Sequence, residues 1–353
     1  MTGILFLSHT HASGPFRVGS HHYAATLARS GADVVHLSTP VSLAHCATGR
    51  VDSTTAAALP TRPTRDEAGV LHVVPRIVLP RPYGTFRVDR ALAHLGLPTR
   101  YDAVFIDQPL LWDASVRALS PTLVYRPTDL YPDGVKATLQ REIVAAADGV
   151  VATSDEVLSA LGPLTVPTIV LANGVDVDHF ATAGDEPRPP LCVYVGALDA
   201  RFDWGQLGAW ARAYPDVRFA IAGPDAAPPA ALPGNVDLLG PVDYSSLPAL
   251  LQTARIGLLP LSEDPLNTGR SPMKLHEYLA SGLNVVARET PVLRADAAIG
   301  VFTYSDPTTA AAALAAALAA PSPNQGGIAA AAEASWEAKT RALTTFVRGL
   351  RGA

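Results

Sequence analysis

Arg270-Ser271-Pro272-Met273-Lys274-Leu275-His276-Glu277-Tyr278-Leu279-Ala280-Ser281-Gly282-Leu283-Asn284-Val285-Val286 holds a loop, a helix, a stop and a strand in one run. Pro272 suits the first turn of a helix, whose spacing runs over 273–280, and Gly282 ends it. Residues 284–287 then read as an apolar strand, and 256–259 ahead of the run as another. Strands separated by a helix of this length imply a parallel sheet covered on both faces. Arg270 and Lys274 lie beside the helix start. Backbone donors left unpaired there would join the two cations in holding a diphosphate. Glu277 follows Lys274 by three residues on the same side and can accept hydroxyl hydrogen bonds from a ribose or a sugar. A surface Lys–Glu pair would explain that spacing alone. It would not explain Gly269-Arg270-Ser271-Pro272 ahead of the helix, or Leu275, Tyr278 and Leu279 interleaved with the polar positions.

The same alternation extends in both directions. Downstream, 308–320 and 328–350 are helical. Upstream, 191–195 is a strand, 204–214 a helix, 218–222 and 236–239 strands, and 246–252 a helix. Asp185-Glu186-Pro187-Arg188-Pro189-Pro190 breaks the pattern with the composition of a linker. Before it the scheme repeats: strands at 4–8, 34–37, 104–106, 124–125, 149–152 and 168–171, with helices at 19–29, 112–119 and 134–147. Residues 48–68 carry no periodicity and read as an exposed loop. The expected organisation is two α/β units joined by a hinge, rather than one enlarged Rossmann domain: 1–172, a hinge at 173–190, 191–334, and a closing helix at 335–353 that packs back toward the first unit.

Composition agrees and removes several function classes. The chain has 353 residues, enough for two domains, with 48% hydrophobic and 17% charged residues. That excludes a disordered chain. With 27 basic and 32 acidic residues the net charge is −5, which argues against a nucleic-acid partner. Cys46 and Cys192 alone make neither a disulfide framework nor a zinc site, and two thiols fit a reducing, cytoplasmic setting. The N-terminus runs directly into strand 4–8 without a basic leader. The apolar run at 310–320 falls short of the ~20 residues that span a bilayer. Peripheral contact with the inner face of a membrane stays open, and nothing sets the oligomeric state.

Open parallel sheets bind ligands beyond the carboxyl ends of their strands. After the first strand come His9 and His11, then Gly19, Ser20, His21 and His22. The four imidazoles have no carboxylate among them, so a ligand loop with backbone donors at Gly19 and Ser20, or a plain helix start, suits them better than a metal. After 191–195 come Gly196, where a ligand could approach the backbone, and Arg201, which could meet an anion. Asp203 reads as the cap of the next helix. Neither segment carries a G-x-G-x-x-G dinucleotide fingerprint. Asp107 and Asp129 stand at strand ends in the first half, where a carboxylate could deprotonate an alcohol. At Asp107 an arginine pair or a cap is the better reading; at Asp129 the two stand level.

Together these segments resemble a GT-B glycosyltransferase. Asn173-Gly174-Val175-Asp176-Val177-Asp178-His179-Phe180 is similar to the N-G-V-D-x-x-x-F signature of the large sucrose-synthase-like family. The 274–286 run resembles that family's donor-domain helix, K-x-x-E-x-x-A-x-G-x-P-V-V. Phe16-Arg17-Val18-Gly19-Ser20-His21-His22 and Ser271-Pro272-Met273-Lys274 are closer to the glucuronosyltransferase of xanthan assembly and to teichuronic-acid glycosyltransferases.

The resemblance implies two Rossmann-like domains facing each other across a deep cleft, with the N-terminal one binding the acceptor and the C-terminal one the donor. It implies a hexosyltransferase moving sugar from a nucleoside diphosphate sugar, UDP-linked, to a glycan, a lipid-linked sugar or a small-molecule alcohol. Gly196, Arg201, Arg270, Ser271, Met273, Lys274 and Glu277 would hold the donor, with Lys274 on its phosphates. Asp129 would be the base, with His11, Gly19, Ser20, His21 and Asp107 as acceptor-side or secondary candidates. Two departures matter. Gly269 replaces the first glutamate of the E-x₇-E pair, which favours inversion over retention, and Asn284 replaces the usual proline. Asp176-Val177-Asp178 is a D-x-D in the wrong place for a donor loop, so neither a metal nor any cofactor beyond the donor itself is expected. A retaining glycosyltransferase of the same fold, a nucleotide-sugar epimerase or hydrolase on the same plan and, last, a noncatalytic binding protein are the alternatives.

Overall fold

The structure is a computed structural model that describes residues 3–11, 17–49, 56–57, 59–81, 83–181, 184, 186–224, 226–294 and 299–352. The chain divides into two units, Met1–Ala172 with Lys339–Ala353, and Asn173–Ala338.

The first unit supplies β1 (Gly3–Ser8), β2 (Asp33–Ser38), β3 (Val41–Ser42), β4 (Thr64–Arg65), β5 (Leu71–Val73), β6 (Arg76–Ile77), β7 (Ala103–Ile106), β8 (Leu123–Tyr125), β9 (Gly149–Ala152) and β10 (Thr168–Val170). Eight of them form a sheet in the order β10-β9-β8-β7-β1-β2-β5-β4, while β3 and β6 pair separately. Every pairing in the sheet is parallel except β4 with β5. All residues of β7 and β9 are buried, as strands covered on both faces require. One core joins Leu5, Val104, Ile106, Tyr125 and Val150 to Leu92, Trp112 and Ile143.

The second unit holds β11 (Leu191–Val195), β12 (Arg218–Ala222), β13 (Val236–Gly240), β14 (Ile256–Leu259), β15 (Asn284–Arg288) and β16 (Val301–Tyr304), ordered β13-β12-β11-β14-β15-β16. This is the doubly wound order, and the first sheet shares it from β5 to β10. In both, the strand order reverses at one point: between β1 and β7, and between β11 and β14. The loops leaving those strands are where such sheets take ligands.

Several segments depart from the sequence reading. Residues 112–119 are not one helix: a 3₁₀ turn at Pro109–Leu111 ends before Trp112, and a second, Ala114–Leu119, starts where Asp113 caps it by accepting from Ser115 N at 2.8 Å. Within 48–68, Thr64 and Arg65 form β4 against β5, and 50–55 and 58 lie outside the described residues. The stretch read as a hinge counts with the second unit: it contains the helix Val177–Phe180, buries Phe180 completely and seats Arg188 on the Ala254 carbonyl at 3.0 Å. The last helical stretch is two helices, Gln325–Glu333 and Trp336–Leu350, broken where Val175 bridges to Ser335 and accepts from Trp336 N. The end of the second helix lies in the first unit, where a Cβ on Gly149 would fall 2.8 Å from Leu350 Cδ1. No helix among the described residues is long and apolar enough to cross a membrane.

Candidate functional site

In the second unit the site is built at the point where the strand order reverses. β11 ends at Val195, and Gly196 follows with φ +147°. Lys274, in the first turn of the helix Met273–Ala280, lays its side chain over that glycine. A Cβ on Gly196 would stand 2.2 Å from Lys274 Cε and 2.5 Å from Nζ, so no other residue fits without moving the lysine. The ammonium also sits 5.5 Å from the Tyr194 ring centroid. The tyrosine hydroxyl is committed to the Ala197 carbonyl at 2.7 Å. On the other side Tyr278 accepts from Val195 N at 3.0 Å, and its ring fills the space that a side chain on Gly257 would take. Gly223 completes the arrangement: a Cβ there would fall 2.0 Å from the Gly196 carbonyl oxygen.

The pocket beside this lysine is lined by Arg201, Arg270 and Lys274 together with Asp199, Pro272 and Leu261. Burial pushes the Lys274 ammonium below the ordinary lysine range, and Arg270 adds to the shift. Burial likewise raises Glu277, against the pull of Lys274. Glu277 is buried and makes no ion pair with Lys274 among the described residues, so the two are not a solvent-facing pair. Arg201 is engaged by Asp199, whose carboxyl that contact holds below the usual range. Pro272 stands at the N-cap rather than inside the first turn, and no side chain caps the helix, so its leading N–H groups at Met273 and Lys274 point out of the helix end.

Four of the residues singled out in this unit, Gly196, Arg201, Arg270 and Lys274, therefore meet at one place. Ser271 has a different employment: its Oγ accepts from Asn173 N at 3.0 Å and its carbonyl from Asn173 Nδ2 at 2.6 Å, tying the N-G-V-D segment to the helix approach. Asp176 caps the helix Val177–Phe180 by accepting from His179 N at 3.2 Å, and Asp203 caps Trp204–Ala213 through Gln206 N at 2.8 Å. Asn284 uses the proline position to donate from Nδ2 to the Pro321 carbonyl at 3.0 Å.

In the first unit most of the polar candidates are already committed. Asp107 forms a buried two-point pair with Arg126, Nε to Oδ1 at 3.0 Å and Nη2 to Oδ2 at 2.7 Å, and the guanidinium lies 5.0 Å from the Tyr23 ring centroid. This is the arginine pair that was the better reading of Asp107, and it leaves neither oxygen free to act as the secondary base candidate. His21 is corrected too. Its Nδ1 accepts from Val18 N at 3.2 Å, so Nε2 carries the proton and faces the Thr10 carbonyl at 3.1 Å. Burial pushes its imidazole down to about 3, and the ring clusters at tilted angles with His36 and His72. Ser20 is fully buried between Ser8 Oγ at 2.7 Å and His36 Nε2 at 3.1 Å, and Gly19 is buried at the helix start. The Ser20 hydroxyl is therefore spent on the fold. His11 is half-buried with its imidazole pushed down by burial, and residues 12–16 of the same loop lie outside the described residues.

Asp129 differs from these. It is half-buried four residues past β8, takes one contact from Thr128 Oγ1 to Oδ2 at 3.3 Å, and lines a cavity. His9, where β1 ends, feels both Asp107 and Asp129 electrostatically, and burial lowers its imidazole. His9, Tyr194 and Tyr278 were not singled out from sequence as site residues; the signal that could have found them is position, directly at strand ends or one turn from Lys274.

Residues 189–320 match the family described as Glycosyl transferases group 1. This stretch is therefore similar to a group 1 glycosyltransferase domain. The chain is 26% identical over 210 residues to a Bacillus subtilis (strain 168) protein named "Putative teichuronic acid biosynthesis glycosyltransferase TuaH", covering 54% of this chain and 51% of that one. It thus spans about half the length of the curated relative it matches. A trehalose-6-phosphate structure from E. coli with bound UDP-2-fluoro glucose superposes with TM-score 0.69 at 12% identity, covering 98% of each chain. Anabaena Alr3699/HepE, solved with UDP-glucose, gives 0.62 at 17% identity, covering 99% of this chain and 98% of that one. The fold is GT-B, as the resemblance in the sequence implied.

Proposed function

We propose that the chain is a glycosyltransferase that moves a sugar from a UDP-linked donor to an alcohol, with inversion and without a metal ion. The observation that carries this is Lys274 laid across Gly196 at the reversal point of the second sheet, beside Arg270 and an uncapped helix end. A cation held against a glycine backbone at that place suits a diphosphate, and burial strengthens its field. Two of the similar structures contain UDP-sugars, which supports the donor class.

In this reading the acceptor oxygen bonds to the anomeric carbon as the bond from that carbon to the diphosphate breaks, its electron pair leaving with the diphosphate. Lys274, Arg270 and the helix end offset the charge gathering there. Asp129 takes the acceptor's proton. Its carboxylate has one oxygen without a protein partner among the described residues, whereas Asp107 has none. Glu277, buried one turn along the helix, faces the sugar or ribose hydroxyls.

Titration with UDP tests the first step. Measurable binding in EDTA is expected, and no affinity at millimolar nucleotide would overturn the donor assignment. A product with the donor's anomeric configuration would overturn inversion, and transfer abolished by EDTA would overturn metal independence.

A further inference from the structure

The cavity beside Asp129 is larger and more apolar than a loop that only positions a carboxylate requires. It measures about 380 Å³ and lies between the helices Gly134–Ala146 and Asp155–Ser159, within the size range of small-molecule sites. Ala137, Val144, Val157 and Leu161 wall it. Asp129, Tyr131, Gln140 and Arg141 bring polar groups to this lining, and two of them are placed in a defined way. Asp129 contributes the carboxylate oxygen that Thr128 does not use. Gln140 is only 8% exposed and gives its Oε1 to the Tyr125 hydroxyl at 2.8 Å, which orients the amide and leaves Nε2 without a partner among the described residues. That donor stays accessible, and a ligand oxygen can accept from it.

We propose that this cavity receives the body of the acceptor, and that the acceptor is a small alcohol with a mainly apolar skeleton, such as a phenolic or alicyclic ring, rather than a free hexose. The inference rests on the reading of Asp129 as the acceptor-side base. The hydroxyl that reacts reaches Asp129, a second oxygen accepts from Gln140 Nε2, and the carbon frame lies against Val144, Val157 and Leu161. A hexose carries hydroxyls around its whole rim. Those set against Val144, Val157 and Leu161 would lose water without gaining a partner.

The test uses the full chain without donor and two probes, 2-naphthol and glucose, in equilibrium binding. At least tenfold tighter binding of 2-naphthol is expected. Val144→Trp, which fills the cavity, should weaken it at least tenfold while UDP binding is retained; if that variant does not fold, Leu161→Trp fills the same space from the turn that follows the opposite helix. Gln140→Glu keeps an oxygen for Tyr125 but removes the donor. It should weaken 2,3-dihydroxynaphthalene at least fivefold more than 2-naphthol. Equal binding of glucose, or unchanged 2-naphthol affinity in a folded filled variant, overturns the proposal. Transfer to glucose or glycerol without 2-naphthol binding also overturns it and leaves sugar transfer standing. Binding of 2-naphthol that Val144→Trp removes, with no transfer from any UDP-sugar, supports the cavity and overturns the transfer reading.

Discussion

Gly196→Ala separates the fold's demand on this glycine from the function's. The new Cβ would stand 2.2 Å from Lys274 Cε and 2.5 Å from Nζ, on a backbone whose φ is +147°. The backbone term is a strained conformation, about 1–3 kcal/mol of stability. The steric term is small for folding, because the colliding atoms are the free end of a flexible side chain that can swing away. For donor binding the same swing is the whole effect. It removes a charge-assisted hydrogen bond of about 1.5–3 kcal/mol, or roughly 10- to 150-fold in affinity. Lys274→Ala should lose as much UDP affinity while keeping its stability. The double variant should bind no more weakly than the weaker single one, since both changes delete one contact. Calorimetric titration with UDP and urea unfolding of the three variants read the two terms apart. A folded Gly196→Ala protein binding UDP within twofold of the parent, or additive losses in the double variant, would refute the claim that Gly196 exists to seat Lys274.

Asp129→Asn should bind UDP normally and lose about 10²–10⁴ in turnover, the usual contribution of a general base; near-parental turnover would reject the assignment. Asp107→Asn should instead destabilise the first unit by about 3–5 kcal/mol in denaturant unfolding, because it strands Arg126 as a buried charge, and an unchanged unfolding midpoint would show the pair to be dispensable. Acid should destabilise the protein through His21 and His36, both buried and pushed below 6.5, His21 to about 3. The unfolded chain takes up these protons first. Their contribution is therefore full above pH ~6.5 and falls by about 1.4 kcal/mol per ring for each pH unit below it, down to about 3 for His21. Urea midpoints that stay flat from pH 7.5 to 5 would contradict this.

That Arg270 and Lys274 come together was legible in the sequence because they share one loop and one helix, where residue spacing already sets which side chains meet. The two doubly wound units were legible for the same reason, since each strand and helix announces itself locally. What the sequence left level, or assigned differently, depends on partners far along the chain. Asp107 and Asp129 both read as strand-end carboxylates; only the packing of β7 beside β8 puts Arg126 across both oxygens of Asp107 and leaves Asp129 at a cavity. His21 read as an acceptor-side candidate on the first helix until the fold set its ring against the Thr10 carbonyl and His36. Gly196 read as room for a ligand, and tertiary structure fills that room with Lys274, brought there from 78 positions away by the pairing of β11 with β14. Local spacing determines which chemistry a segment can offer. Whether a given group is spent on the fold or kept for a ligand is decided by contacts between segments, and those follow from strand order, which no window of sequence contains.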